Sequence, residues 1–345
     1  MNATEIELLA PAEPLAAYLD QRDLGAGEVR IEPIGDGHSN LTFLLERGGA
    51  RLVLRRPPRG PLPPSAHDVV REARLLSALR PHGVLVPEVL AICEDERVIG
   101  APFYLMAYVD GFILTEGMPA QLAGEAETVA TCLVDGLVDL HAVDPAAEEL
   151  AGFGRADGYL ERQLKRFGGL YEVNATRPLP DLEAVAEWLA ANLPASPPST
   201  VVHGDYRLGN VMLAPSPTRL AAILDWEMAT IGDPLADLGY MTAMWSQSDD
   251  PPNAVSDLSA VTRGNGFPDR DFLARRYAER SGRSIDSLPW YQVLALWKAA
   301  IFLEGSYGRL LNGTSDDPFF AQLEAGVPEL AARAWELAQR AGAAR

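Results

Sequence analysis

From Val201 to Asp237 the chain reads VVHGDYRLGNVMLAPSPTRLAAILDWEMATIGDPLAD, and this stretch constrains the fold more than any other. Two apolar runs, Val211–Leu213 and Leu220–Leu224, flank Ala214-Pro215-Ser216-Pro217, a proline-rich turn signal. Apolar run, turn, apolar run predicts a β-hairpin. His203-Gly204-Asp205 precedes the first run, Asn210 stands at its start, and Asp225-Trp226-Glu227 follows the second. A hairpin brings its outer ends together, so Asn210 and Asp225 are expected to converge, with Asp205 on the loop leading in. Two oxygen ligands beside a separate carboxylate suit a hard cation and a hydroxyl awaiting deprotonation.

Any one of these residues alone is better explained as a turn cap, and His203 alone as a hydrogen-bonded core histidine. Their order changes the balance. Base, first ligand, hairpin, second ligand is the spacing of a kinase catalytic loop, where Asp-x-x-x-x-Asn is followed by a metal-binding Asp.

Upstream, three strand-like runs follow one another: Val29–Ile34, Leu41–Glu46 and Arg51–Arg56. Gly35-Asp36-Gly37-His38-Ser39-Asn40 separates the first two and Gly48-Gly49 the next pair, which predicts an antiparallel meander. This is not the strand-to-helix setting of a P-loop or dinucleotide fingerprint. Glycines in such a first hairpin let backbone N–H groups approach phosphate oxygens. Arg55 stands on the third strand where a kinase carries its phosphate-holding lysine. Glu72 lies on a helix predicted over Ala66–Leu79, whose Val69, Val70, Ala73, Leu76 and Leu79 form an apolar stripe. A third-strand cation and a helix glutamate form the ion pair that positions ATP phosphates. Here the cation has to be arginine, because Lys165 and Lys298 are the only lysines in the chain. Arginine is always charged and grips phosphate bidentately, but its planar fork is not interchangeable with an ammonium.

Pro87–Cys93, Val98–Gly100 and Phe103–Tyr108 are expected to complete the sheet, and Val109-Asp110-Gly111 to end it. Met106–Val109 would then be a hinge presenting backbone groups to adenine, with Met106 and Tyr108 at the nucleotide. Residues 4–20 predict an amphipathic helix broken by Pro11 and Pro14. Pro119–Val143 predicts one long helix, and Asp157–Phe167, Asp181–Asn192, Phe272–Ser281, Leu288–Leu311 and Pro318–Ala341 predict others. A strand is expected at Thr200–Val202, and a helix opening in the run Ile231–Leu238, where Asp237 is placed to brace the catalytic loop's backbone. His141 and the aromatic stripe of Leu288–Leu311 are expected in the core. The whole is an α+β, protein-kinase-like two-lobed fold. Its N-terminal lobe, 1–108, is an antiparallel sheet with one helix, and its larger lobe, 109–345, is mainly helical.

Composition removes several classes of function. The 345 residues carry 29 basic against 48 acidic side chains, a formal charge of −19. A surface so acidic is unsuited to nucleic acid, which needs basic charge. No apolar run approaches the roughly 18 residues that span a bilayer, so no membrane partner is expected. Cys93 and Cys132 are far apart and in no metal-binding spacing, which argues against a disulfide framework or a zinc site. With no basic, apolar leader at the N-terminus, a cytoplasmic location is expected.

HGDYRLGN followed by ILDWE and GDPLADLGY resembles the motif set of the aminoglycoside phosphotransferase-like small-molecule kinases, the choline-kinase-type branch of the kinase fold. Within it, LVLRRPP, REARLLSAL, PFYLMAYVDG, YLERQLKRF and the aromatic helix after YAERSGR are similar to the kinase-like domain fused to some acyl-CoA dehydrogenases. The likeness runs from Ile31 to Leu311. It implies that Asp205 is the catalytic base toward an acceptor hydroxyl, and that Asn210 and Asp225 hold Mg²⁺ on the phosphates of ATP. It implies a nucleotide seated by Gly35, Gly37, Ser39, Asn40, Arg55, Glu72, Met106 and Tyr108. Arg55 replaces the family's usual lysine, an exchange familiar in the fused-domain subgroup.

Reaction class is far better specified than substrate. The subgroup likeness points to a hydroxyacyl-CoA or related hydroxy-acid derivative, with Arg155, Arg162, Arg166 or Arg309 as counter-charges. Whole-chain acidity points instead to a cationic acceptor such as an aminoglycoside, with macrolides as a further antibiotic class. A different class altogether, an inactive nucleotide-binding module, is motivated by Arg55.

Overall fold

The structure is a computed structural model that describes residues 1–345 except 36–39, 61–66, 252–255, 265, 316 and 344–345, and except the side chains of 256–258. The chain forms two compact units. One comprises Met1–Asp110 with Ala222–Glu227, the other Gly111–Ala221 with Met228–Arg345.

In the first unit β1 (Arg30–Pro33), β2 (Leu41–Arg47), β3 (Ala50–Arg56), β4 (Val89–Cys93) and β5 (Phe103–Ala107) build a five-stranded antiparallel sheet. Its order is β1-β2-β3-β5-β4. Period-two alternation sends Phe43 and Leu45, Leu52 and Leu54, Phe103 and Leu105 to a shared core. Leu15 and Leu19 join that core from α2 (Ala12–Asp20), which follows α1 (Ala3–Leu9). Each buried Leu or Phe contributes about 1.5–3 kcal/mol. Two buried arginines serve as staples rather than surface charges. Arg47 donates to the carbonyls of Gly27 (2.7 Å) and Ala16 (3.0 Å) and to the Asp20 carboxylate (2.6 Å). Arg56 donates to the carbonyls of Leu9, Pro57 and Ile99. α3 (Val69–Leu79) packs on β4 and β5, its first turn capped by Asp68.

Two expectations about this unit change. Val98–Gly100 is a turn, not a strand: the Asp95 carboxylate accepts the Arg97 N–H at 3.0 Å, and Gly100 adopts φ +79°. An aspartate bonding the backbone two residues on competes with strand pairing. The amino-terminal helix is two helices, divided at Ala10 and Pro11. Pro14 does not break the second, because it falls in the first turn of α2, where no N–H bond is lost.

In the second unit the helices are α4 (Ala126–His141), α5 (Tyr159–Asn174), α6 (Pro180–Ala191), α7 (Leu235–Met244), α8 (Arg270–Ser281), α9 (Leu288–Leu311) and α10 (Pro318–Ala343). α9 is central, packing on α5, α6, α7 and α10. Its Trp290, Tyr291, Leu294, Trp297 and Ile301 are buried, but Phe302 is exposed and Tyr307 half-buried, so the aromatic stripe is core only in the first half of the helix. Glu304 is fully buried on the same helix. It is satisfied by the Thr176 backbone N–H (3.1 Å), the Thr176 hydroxyl (2.5 Å) and Arg177 (3.2 Å). The predicted helix Pro119–Val143 is interrupted. A short 3-10 turn at Ala120–Leu122 is followed by Gly124 at φ +83°, a conformation no helix interior accepts, and α4 starts afresh.

β6 (Thr200–Val202) pairs antiparallel with β9 (Thr230–Gly232), a strand too short to leave a periodic signal. β7 (Val211–Ala214) and β8 (Arg219–Ile223) form the expected two-stranded sheet. Among the described residues no helix is long and apolar enough to cross a membrane.

Candidate functional site

Asp205 stands on the loop between β6 and β7, and three contacts fix that loop. Buried Asp237, on the first turn of α7, accepts the backbone N–H groups of His203 (2.7 Å) and Gly204 (2.8 Å). The Asp205 N–H donates to Nδ1 of His203 at 3.2 Å. Gly204 has φ +87°, and a Cβ there would lie 2.8 Å from the Met228 carbonyl oxygen, so only glycine fits. Asn210 then closes the loop, its side-chain amide donating to the Asp205 carbonyl (2.8 Å) and carboxylate (2.6 Å). With Nδ2 so occupied, the amide oxygen of Asn210 is the atom left to act as a ligand. Nε of Arg207 lies 3.7 Å from the other carboxylate oxygen. Asp205 keeps 26% of its side chain exposed, whereas Asn210 is buried.

Asp237 answers the expectation that it braces this loop. Burial raises its pKa, but hydrogen bonding and charge from His141, together with His203 and the Gly204 N–H, outweigh that and hold it below the usual carboxylate range. His141 is itself core, bonded to the Tyr277 hydroxyl (2.7 Å) and facing Asp237 (3.3 Å), and burial pushes its pKa down.

Lys298 is a residue that sequence reasoning passed over. It lines a pocket of about 10 Å³, room for one water, with Gly204, Asp237, Tyr159 and Tyr240. Its ammonium sits 4.7 Å from the Phe167 ring centre and has no ion pair among the described residues. Burial lowers its pKa to about 8, against the pull of Asp237 and Asp205. Its rarity as one of two lysines was the only available signal.

In the first unit the charged centre is Arg55. Its Nε donates to Glu72 (3.0 Å), its Nη2 to Asp225 (2.5 Å) and its Nη1 to the Thr42 hydroxyl (3.5 Å). The register puts Arg55 opposite Thr42 on β2 and Tyr104 on β5, and α3 presents Glu72 from above. Burial opposes the guanidinium's charge, but Glu72, Tyr104, Asp225 and Glu227 outweigh it, and Arg55 stays protonated at any accessible pH. Glu72 is only 2% exposed, and burial pushes its carboxyl up against the pull of Arg55. Asp225 is a non-glycine residue at φ +65°, in the left-handed region that aspartate tolerates better than most. The Ile223 N–H, donating to the Leu85 carbonyl at 2.7 Å, anchors the segment that carries it.

The remaining expected nucleotide contacts sit in the same unit. Gly35 has φ +76° with open space where a Cβ would stand. Asn40 is buried and clamped, donating to Glu227 (3.3 Å) with its oxygen 3.2 Å from Nδ1 of His67. Gly37 and Ser39 lie outside the described residues. Met106 is on β5 between Val53 and Val89, and Tyr108 follows, its N–H reaching the Arg51 carbonyl at 3.4 Å.

Of the four arginines expected to meet a charged acceptor, Arg155, Arg162 and Arg166 gather about the start of α5, while Arg309 stands apart near the end of α9. Arg162 donates to the backbone carbonyls of Asp157 and Arg155, so its fork caps the loop that precedes α5. Arg155 and Arg166 are exposed. Arg309 bonds the Ser306 hydroxyl (2.9 Å) and covers the Phe320 ring (5.2 Å). It is about 16 Å along α9 from Lys298 at 1.5 Å per residue.

A model of the phosphotransferase enzyme family matches residues 30–275. Acyl-CoA dehydrogenase family member 11 of Gallus gallus is 35% identical over 329 residues, which are 91% of this chain but 41% of that protein. The chain thus spans about two-fifths of that relative's length. A solved Ralstonia eutropha protein, provisionally described as an aminoglycoside phosphotransferase, is 30% identical with TM-score 0.81, covering 95% of this chain and 98% of that one. An APH(4)-Ia aminoglycoside phosphotransferase solved with AMP-PNP and hygromycin B superposes with TM-score 0.62 at 18% identity, covering 94% of this chain and 99% of that one; this is likeness of fold alone. The chain belongs to the phosphotransferase enzyme family, and its fold is the kinase-like fold of the aminoglycoside phosphotransferases.

Proposed function

We propose that the chain moves the γ-phosphate of ATP to a hydroxyl of a hydroxyacyl-CoA or related hydroxy-acid derivative. The observation that carries the reaction is the Asp205 loop: a part-exposed carboxylate held by Asn210, on backbone that Asp237 clamps. Asp205 takes the proton of the acceptor hydroxyl as that oxygen attacks, a contribution of about 10²–10⁴ in rate for a general base. Residues 1–108 form the nucleotide lobe and 109–345 the catalytic and acceptor lobe.

Arg55 neutralises the phosphates while Glu72 fixes its direction, with Gly35, Gly37, Ser39 and Asn40 as the covering turn and Met106 and Tyr108 at the base. The donor set for Mg²⁺ is the Asp225 carboxylate and the Asn210 amide oxygen. These are hard oxygens in the small number that magnesium takes from protein when phosphates complete its shell. The Asp225 carboxylate keeps one oxygen beyond its contact with Arg55, and the amide oxygen of Asn210 is the end not bonded to Asp205, so each residue has a hard oxygen to offer the ion. When bound, the ion would neutralise charge building on the transferring phosphoryl group.

Support for the acceptor class comes from the acyl-CoA dehydrogenase family relative, which matches 91% of this chain. Arg155, Arg162, Arg166 or Arg309 would meet the acceptor's charged head. The competing acceptor, an aminoglycoside or macrolide, is favoured by the net charge of −19 and by the hygromycin B complex of a fold neighbour. A reducing, cytoplasmic location suits two cysteines that form no disulfide. A screen of ATP consumption with mass detection of product, across hydroxyacyl-CoAs, aminoglycosides, macrolides, choline-like alcohols and sugars, decides. Phosphorylated hydroxyacyl-CoA is the expected product. ATP binding without phosphorylation of any acceptor would favour the inactive nucleotide-binding module and end the proposal.

A further inference from the structure

Away from Asp205, the second unit carries an open cavity of about 540 Å³ lined by α7, α9, α10, Asp250, Pro251 and Arg270 at the start of α8. Its volume falls in the range of small-molecule sites, about 300–1,000 Å³. Ala243, Leu296 and Leu337 give it apolar wall. Its polar side is an arginine cluster around one carboxylate, Asp250, which is already paired with Arg270. Asp250 accepts both Nη atoms of Arg270, one at 3.0 Å, and the Gln247 N–H at 2.8 Å. Arg263 donates to the Asp250 backbone carbonyl at 3.1 Å. Arg333 comes last, 3.7 Å from the Asp250 carboxylate and beyond hydrogen-bonding reach.

Arg333 is therefore a second guanidinium beside a carboxylate already committed to the first. Its side chain is 23% exposed, and among the described residues its only ion pair is that long one. Burial lowers its pKa against the pull of Asp250 and Glu336, with the nearby charges of Arg270 and Arg263 adding to the lowering. Two further carboxylates line the cavity, Glu329 and Glu336, both exposed on α10. Glu336 is 3.8 Å from Arg340 rather than paired with Arg333. A desolvated cation with planar donors unclaimed, beside apolar wall, fits an anionic head on a short hydrocarbon tail.

We propose that this cavity binds a small amphipathic anion, a carboxylate or phosphate monoester with a short apolar tail, through Arg333. The site is separate from the phosphoryl-transfer residues and does not depend on that reaction.

Calorimetry on the full chain, with neither nucleotide nor acceptor, uses hexanoate, hexyl phosphate and hexanol as probes. At least one anion binds, hexanol binds at least tenfold more weakly, and the stronger anion identifies the head group. Arg333→Gln raises the Kd of that anion about tenfold or more, as expected for a lost charge-assisted contact. Leu337→Trp, which fills the cavity and leaves the charges in place, abolishes binding even if the arginine variant folds poorly. Asp205→Ala binds like the parent, so a chain that transfers no phosphate still passes. Hexanol binding as tightly as the anions, no binding by any probe, or equal affinity in folded Arg333→Gln or Leu337→Trp overturns the proposal.

Discussion

Each of the two units carries a carboxylate with a proposed role, and the two are held by different means. Asp225 is gripped by a side-chain cation, Arg55, which also carries Glu72. Asp205 is held by the neutral amide of Asn210, on a loop whose backbone is fastened to Asp237. An ion pair can exchange partners when a metal ion or phosphate competes for it. A loop pinned through backbone N–H groups to a buried carboxylate cannot move without breaking those bonds. The contrast suits their proposed roles: a ligand that must accept a cation, and a base that must stay aimed.

The comparison breaks first at Asp205. Asp205→Ala is expected to lower turnover by roughly 10²–10⁴ and leave nucleotide affinity intact. Steady-state kinetics with nucleotide calorimetry checks it, and unchanged turnover rejects the role.

Arg55→Ala should be the costliest change for the first unit. It leaves the Glu72 carboxylate, 2% exposed, without its cation, a loss of about 3–5 kcal/mol by denaturant titration. Arg55→Lys should restore much of the stability and preserve or raise ATP affinity. A neutral Arg55→Ala in ATP binding would show that the position does not touch phosphate.

The Asp225 ion pair spans 170 residues of sequence, which is why it was not legible beforehand, while the Arg55–Glu72 pair at 17 residues was. The same distinction runs through the fold. The meander and α9 were readable because burial imposes periods of two and 3.6 on their residues. Gly124 at φ +83° and the Asp95 turn defeated periodicity, since each is a local backbone preference that apolar spacing does not register. β9 has three residues, too few for any period, and Lys298 becomes notable only when α9 brings it beside Gly204. The candidate roles of Asp205, Asn210 and Asp237 were readable from their order along the chain, and the three do meet at one loop. The bond from Asn210 to Asp205, which decides which end of the amide is left as a ligand, required side-chain coordinates.

Asp237→Asn sharpens the contrast from the other side. The two N–H groups go to different carboxylate oxygens and an amide offers only one, so stability should fall by about 3 kcal/mol and turnover by about tenfold. Because Asp237 is held below its ordinary pKa, its contribution is full above the unfolded carboxylate range of about 4. It fades as pH falls through the lower folded value, so the variant and the parent should converge in acid.

Lys298→Met is the smallest effect and reverses the sign. Below pH 8 both folded and unfolded chains carry the proton, so the burial cost is present in full and the variant should melt higher. Between about 8 and the ordinary 10.5 the folded chain releases the proton while the unfolded chain keeps it. The advantage should therefore shrink as pH rises across that window. A constant difference in Tm from pH 7 to 10.5 would remove Lys298 from the account.

The division of labour between the two carboxylates is tested most directly by titrating Mg²⁺ against ATP affinity in Asp225→Ala and Asp205→Ala side by side. The account predicts that Asp225→Ala loses the magnesium-dependent gain in affinity and that Asp205→Ala keeps it. Identical magnesium curves for the two variants would contradict it.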